Sequence, residues 1–214
     1  MERNPLNING GLVLTKDEIL KRIGKDLFIR PLLEPEHQIQ NIGIDFRLGY
    51  DFLVAIQGRE AVINASLNPE NRPDVNEFFQ PTRRQLGETF ILHPHQTVLA
   101  TTLEFVKLPD DIFLMLFMRS SYTRLGLSVS TIVQPGFCGC ISLELNNQNH
   151  TPVNLTVGAR VLQAVAFSVS STTYFPNSRK YMCNVRPEPS AVIHDGDLAL
   201  LNQLWKSANH IPLI

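Results

Sequence analysis

The sequence predicts a mostly β fold of sandwich, jelly-roll or barrel-like type, with a short helix near the N-terminus and another near the C-terminus. Three observations carry that expectation. From Ile42 onward, short strand-like runs follow one another at close spacing. Turn formers separate them, at His93-Pro94, Leu108-Pro109-Asp110-Asp111, Pro135-Gly136 and Gly158. Helical signals are confined to two short stretches near the ends of the chain. Many short strands with frequent turns bury their apolar faces best as packed or closed sheets.

The elements follow in order. Residues 1–13 are expected to be a loose arm. Residues 15–22 open with Thr15 and Glu18 in capping-box spacing, followed by Ile19, Leu20 and Ile23, which predicts a short amphipathic helix. Ile29-Arg30-Pro31 continues as extended chain. Phe52 to Ile56 and Ala61 to Ile63 read as strands joined by a hairpin turn at Gly58-Arg59. Residues 67–88 are polar and contain prolines, so a long surface loop or insertion is expected. Strands are then expected at 89–93, 97–106, 112–118, 127–133, 139–146, 153–157 and 161–169. From Tyr174 the chain becomes a polar, Pro-containing C-terminal segment. Residues 195–206 read as its terminal helix, with Leu198, Leu201 and Trp205 on one side. The 214 residues suit a single domain with these appendages.

Composition narrows the function classes. A chain with 43% hydrophobic and 18% charged residues has an ordinary globular balance and can bury a core without staples. With 19 basic against 20 acidic side chains, it lacks the basic excess of a duplex-binding protein. Any phosphate site must then be local. Three cysteines (Cys138, Cys140 and Cys183) without framework spacing predict free thiols and a reducing compartment, so the expected address is the cytoplasm. No apolar run is long enough to span a bilayer.

Two stretches could carry chemistry. In Ile141-Ser142-Leu143-Glu144-Leu145, strand alternation sends Ile141, Leu143 and Leu145 to one face, and Ser142, Glu144 and Asn146 to the other. Glu144 is then either one charge on a solvated face or a general base held on a rigid strand. Arg119-Ser120-Ser121-Tyr122-Thr123-Arg124 follows a strongly apolar strand and sets two guanidinium groups and two serine hydroxyls at a strand-to-turn or strand-to-helix junction. Such a set suits phosphate oxygens, and it equally suits a solvated turn. Cys138-Gly139-Cys140 is a C-x-C pair, but the H-x-E and P-C-x-x-C elements of zinc-dependent deaminases are absent. Walker A, G-x-G-x-x-G and G-x-S-x-G motifs are absent as well.

Taken in order, these segments resemble the dCTP deaminase family of the dCTP deaminase/dUTPase superfamily. Leu27-Phe28-Ile29-Arg30-Pro31 resembles its I-x-P strand, and Asp45-Phe46-Arg47-Leu48-Gly49 its D-x-R-L-G element. Leu92-His93-Pro94, Leu103-Glu104 and Leu108-Pro109 resemble the L-H-P … T-L-E … L-P stretch. Arg119-Ser120-Ser121 with Arg124-Leu125-Gly126-Leu127 resembles R-S-S-x-A-R-x-G-L. Pro135-Gly136-Phe137 with Gly139, Leu143 and Glu144 resembles P-G-[FW]-x-G-x-x-x-L-E. Gly158, Arg160 and Gln163 resemble G-x-R-I-G-Q, and Tyr174 with Lys180-Tyr181 the C-terminal segment.

The resemblance implies a distorted jelly-roll of dUTPase type, assembled as a homotrimer with sites between subunits. It implies hydrolytic deamination of dCTP to dUTP and ammonia without catalytic zinc. Glu144 would activate the water. Arg119, Ser120, Ser121 and Arg124 would meet the phosphates and position the attacking water, and Ser142 and Leu143 would offer backbone near the base. Gln134 would meet the sugar. Tyr174, Lys180 and Asn184 would belong to a C-terminal segment that closes over the nucleotide. Magnesium would arrive on the triphosphate, and neither nucleic acid nor membrane is an expected partner. Three departures accompany the match. Gln134 stands where the family usually carries Asp, the stretch from Leu127 to Gln134 is shorter, and Asn184 replaces Gln. They make a non-catalytic nucleotide-binding trimer the alternative. A dUTP diphosphatase is disfavoured by Gln134 and by Glu144.

Overall fold

The computed structural model describes residues 12–56, 78–169, 181–192 and 196–208. Helix α1 (Lys16–Arg22) starts as the capping box predicts, with the Glu18 carboxylate accepting the Thr15 N–H at 2.8 Å. Acidic Asp17 and Glu18 sit in its first turn and basic Lys21 and Arg22 in its last, matching the helix dipole. Strand β1 (Phe28–Arg30) follows, then the short α2 (Pro35–Gln38), β2 (Ile44–Arg47) and β3 (Asp51–Ala55). The sequence continues through β4 (Phe79–Arg83), β5 (Thr89–Leu92), β6 (Thr97–Lys107), β7 (Ile112–Met118), α3 (Ser120–Thr123), β8 (Leu127–Ser128) and β9 (Ser130–Val133). It ends with β10 (Cys138–Asn147), β11 (Val153–Thr156), β12 (Arg160–Ser168) and α4 (Gly196–Ala208).

The strands form two main antiparallel sheets. One runs β4-β3-β6-β10-β8, with β1 also on β6; the other runs β2-β12-β7-β9; β5 and β11 form a separate pair. Period-two alternation fills the space between them. Ile141, Leu143 and Leu145 of β10 and Val98 and Ala100 of β6 are buried from one sheet, and Ile112, Leu114 and Leu116 of β7 from the other. All of them belong to one apolar cluster, in which Phe52 and Phe90 stack with ring centroids 4.1 Å apart. The result is a mostly β fold of packed antiparallel sheets with short helices, as the strand pattern predicted.

Three expectations change. Residues 67–88 are not all loop, because 79–83 form edge strand β4 on β3, where Pro81 is tolerated; residues 67–77 lie outside the described residues. So do the expected Gly58-Arg59 turn and the strand at Ala61 to Ile63. The expected strand 127–133 is split. Leu127–Ser128 pairs with β10 and Ser130–Val133 with β7 in the other sheet, so the chain changes sheets at buried Val129. The N-terminal arm is pinned by residue 12, since Leu14 donates to the Ala166 carbonyl and Leu12 accepts from Ser168. On α4, Leu201 and Trp205 are exposed. Among the described residues no helix is long and apolar enough to cross a membrane.

Candidate active site

Glu144 lies near the middle of β10, on the face turned away from the core. Its neighbours Leu143 and Leu145 are each 1% exposed, so the strand's own packing fixes which way the carboxylate points. Directly across on β6 stands Leu99. Glu144 borders a recess of about 220 Å³ together with Phe79, Leu99, Ser142, Tyr181 and Glu188. It pairs with no basic side chain among the described residues. Glu144 is exposed at the recess, and partial desolvation by the strand and the recess walls raises its carboxyl above the usual carboxylate range. A carboxylate with raised proton affinity, open to solvent through a recess, is suited to taking a proton from water. Ser142 shares the recess, and Leu143 sends its side chain into the core while its backbone borders the recess.

The Arg119 turn is built by different elements. Strand β7 ends at Met118, and Arg119 caps α3 in extended conformation, with its carbonyl accepting from Tyr122 and Thr123. Ser120 and Ser121 are exposed and open the helix, so their N–H groups have no intrahelical acceptor. Arg124 is exposed at the C-cap and forms no ion pair among the described residues. Gly126 (φ +81°) closes the turn, where a Cβ would come within 2.9 Å of the Asn149 side chain. The turn therefore presents two guanidiniums, two hydroxyls and N–H groups without a partner among the described residues, a set matched to phosphate oxygens. None of its residues borders the recess around Glu144.

Behind that turn lie groups that sequence reasoning did not single out. Asp45 of β2 is 1% exposed, with the Arg119 Nε at 3.4 Å and an Arg160 terminal nitrogen at 3.6 Å. Arg119 also donates to the Arg160 carbonyl at 3.1 Å, and Arg160 to the His37 carbonyl at 2.6 Å. Nearby, fully buried Glu104 accepts from the Gln38 amide and from the Arg47 N–H, each at 2.9 Å. Burial pushes the Glu104 carboxyl up to about 7. The only sequence signal for these groups was their place in the D-x-R-L-G, T-L-E and G-x-R elements.

The remaining expected site residues are dispersed. Gln134 is exposed in the turn before β10, and its carbonyl accepts from Phe137. Asn184 lies over the start of β10, where its carbonyl accepts from Cys140 at 2.8 Å. That close crossing requires Gly139, because a Cβ there would sit 2.9 Å from the Asn184 oxygen. Cys138 to Glu144 spans roughly 20 Å of strand, so the chain does not bring Gln134 and Asn184 to Glu144. Tyr174 and Lys180 lie outside the described residues. Tyr181 was missed as a site residue; it borders the Glu144 recess, and its hydroxyl accepts the Ala191 N–H at 2.8 Å. Among the described residues no three His, Cys, Asp or Glu side chains gather as metal ligands would.

Two packed antiparallel sheets with a strand-borne carboxylate, and apart from it an arginine- and serine-rich turn, define the class: a mostly β protein with short helices. A family model described as dCTP deaminase-like matches residues 13–169, and the chain belongs to that family. A protein of Methanobrevibacter smithii named "dCTP deaminase, dUMP-forming" is 36% identical over 174 residues, covering 78% of this chain and 88% of its own. A Natronomonas pharaonis protein named "dCTP deaminase" is 34% identical over 192 residues, covering 86% of this chain and 96% of its own. Among solved structures, the 2'-deoxycytidine 5'-triphosphate deaminase of Agrobacterium tumefaciens superposes with a TM-score of 0.56 at 20% identity. That match takes in 73% of this chain and 48% of the longer one, and it shows a shared fold.

Proposed function

We propose that the chain is a hydrolytic deaminase acting on dCTP, with Glu144 as the general base. The observation that carries the proposal is the placement of Glu144: fixed by β10 at a recess, unpaired by any cation among the described residues, and raised in proton affinity by partial desolvation. Glu144 takes a proton from a water molecule, and the oxygen attacks C4 of the cytosine. Glu144 passes that proton to N3 as the tetrahedral intermediate forms, then carries the C4 hydroxyl proton to the amino group; the C–N bond breaks, and ammonia leaves as the C4 carbonyl forms. Overall, dCTP and water give dUTP and ammonia. A positioned base contributes about 10² to 10⁴ in rate. The relatives named as dCTP deaminases support the substrate class.

Arg119, Ser120, Ser121 and Arg124 are assigned to the phosphates. Their donor set fits phosphate oxygens and not a cation, so magnesium would be carried by the triphosphate itself. The recess at Glu144, about 220 Å³, is below the roughly 300 to 1,000 Å³ of a typical ligand pocket, and the phosphate turn does not border it. Both facts support a site completed by a neighbouring subunit, in a homotrimer. A second reading, release of dUMP, is favoured by the names of several relatives. Gln134 argues against it, because an amide cannot act as the carboxylate base that the family's usual Asp supplies. Purified protein supplied with dCTP and magnesium tests the proposal: chromatography is expected to show dUTP with one ammonia per turnover. Equimolar dUMP and pyrophosphate would establish the second reading, and unchanged dCTP would overturn both.

A further inference from the structure

Asp45 combines features that its role as a β2 residue does not explain. It is 1% exposed, yet neither carboxylate oxygen accepts a hydrogen bond among the described residues. Its two arginines approach at 3.4 and 3.6 Å, too far for strong hydrogen bonds. Arg47, on the same strand, adds a third positive charge to its surroundings. Burial raises the proton affinity of Asp45 and the three arginines oppose that, Arg119 most of all. An anion buried without hydrogen bonds is a poor source of stability. What the charge does is act on the cations around it.

Arg119 shows the effect. Its Nε faces Asp45, and one terminal nitrogen donates to the Arg160 carbonyl. The other terminal nitrogen has no partner among the described residues. Arg160 is held by the same carboxylate and by the His37 carbonyl. Without the anion, the guanidiniums of Arg119 and Arg160 would repel each other across this small space. We infer that Asp45 is a positioning residue: it holds the inner edge of Arg119 through the gap beside Arg160, so that the outer edge stays presented, with Ser120 and Ser121, to a triphosphate. This inference rests on the assignment of Arg119 to the phosphates.

The test uses the full chain and inorganic triphosphate as the probe, followed by calorimetry, with dCTP kinetics beside it. Asp45→Asn is expected to weaken triphosphate binding roughly tenfold or more, the scale of one charge-assisted hydrogen bond. KM for dCTP rises in step while kcat stays within about twofold. A merely structural role would lower the melting temperature and leave the KM-to-kcat split unmoved. Added to Arg119→Ala, Asp45→Asn is expected to cost nothing further, since it acts through that arginine. Asp45→Glu, which keeps the charge but shifts it by one methylene, is expected to fall between wild type and Asp45→Asn; it carries the test if Asp45→Asn does not fold. Wild-type affinity in both Asp45 variants overturns the inference, as does an additive loss in the double variant. If Arg119→Ala itself binds triphosphate like wild type, the phosphate assignment fails, and the inference fails with its premise.

Discussion

Replacing Glu104 by Gln should remove a pH dependence of stability that the buried Gln38–Glu104–Arg47 cluster builds into the fold. Glu104 is fully buried, and burial pushes its carboxyl from 4.5 up to about 7. The folded state therefore holds this proton more tightly than the unfolded chain does. Stability from this group is fully present below pH 4.5, declines as pH rises, and is lost once pH passes about 7. The gap between the two proton affinities corresponds to about 3 kcal/mol, an order-of-magnitude figure. Gln cannot ionise, so its stability should carry no such slope. It does lose one acceptor, because Glu104 accepts from both the Gln38 amide and the Arg47 N–H. That costs about 1–3 kcal/mol at every pH. Urea unfolding at fixed protein concentration, from pH 5 to pH 8, is the assay. The variant should be the less stable at pH 5 and should close the gap, or overtake, by pH 8, a relative change of about 3 kcal/mol. Parallel stability curves would refute the reasoning and would mean that Glu104 stays ionised on folding at no cost.

Other outcomes follow from the same structure. The acid limb of kcat/KM for dCTP should lie above the ordinary carboxylate range, because burial raises Glu144, with rate falling as pH falls through that limb; a limb at or below pH 4.5 would contradict it. Gly126→Ala should cost about 1–2 kcal/mol and weaken triphosphate binding, because φ is +81° and the new Cβ meets Asn149 at 2.9 Å; thermal melts with and without the probe check this. Arg22→Ala should lower stability by about 1–2 kcal/mol, since Arg22 fixes α1 to Asp111 through two hydrogen bonds of 2.6 and 2.7 Å; chemical denaturation measures it, and no change would mean that solvent already screens the pair.

Much of this was legible in the sequence, for physical reasons. The alternation in Ile141 to Leu145 shows which face carries Glu144, because strand period and burial pattern coincide there. The capping-box spacing of Thr15 and Glu18 located α1 to within a residue. What stayed hidden depended on tertiary pairing. Phe79 to Arg83 looks like loop because Gln80, Pro81 and Arg83 are polar or turn-forming, and only an edge position beside β3 makes it a strand. The exchange of sheets at Val129 leaves no mark in a run that reads as one strand. The links from Asp45 to Arg119 and Arg160 join residues far apart in the chain, so no local spacing announces them. Gln134 and Asn184 were grouped with Glu144 by motif order, whereas within one chain they sit at the other end of β10.

The central claim is that Glu144 activates water for attack on cytosine, and one comparison tests it most directly. Wild type and Glu144→Gln are incubated with dCTP and magnesium while cytosine absorbance and released ammonia are followed. The account predicts turnover by wild type and a loss of about 10² to 10⁴ in kcat for the variant, with dCTP still raising the melting temperature of both. Equal rates in the two proteins, or no turnover by a wild type that dCTP nonetheless stabilises, would contradict it.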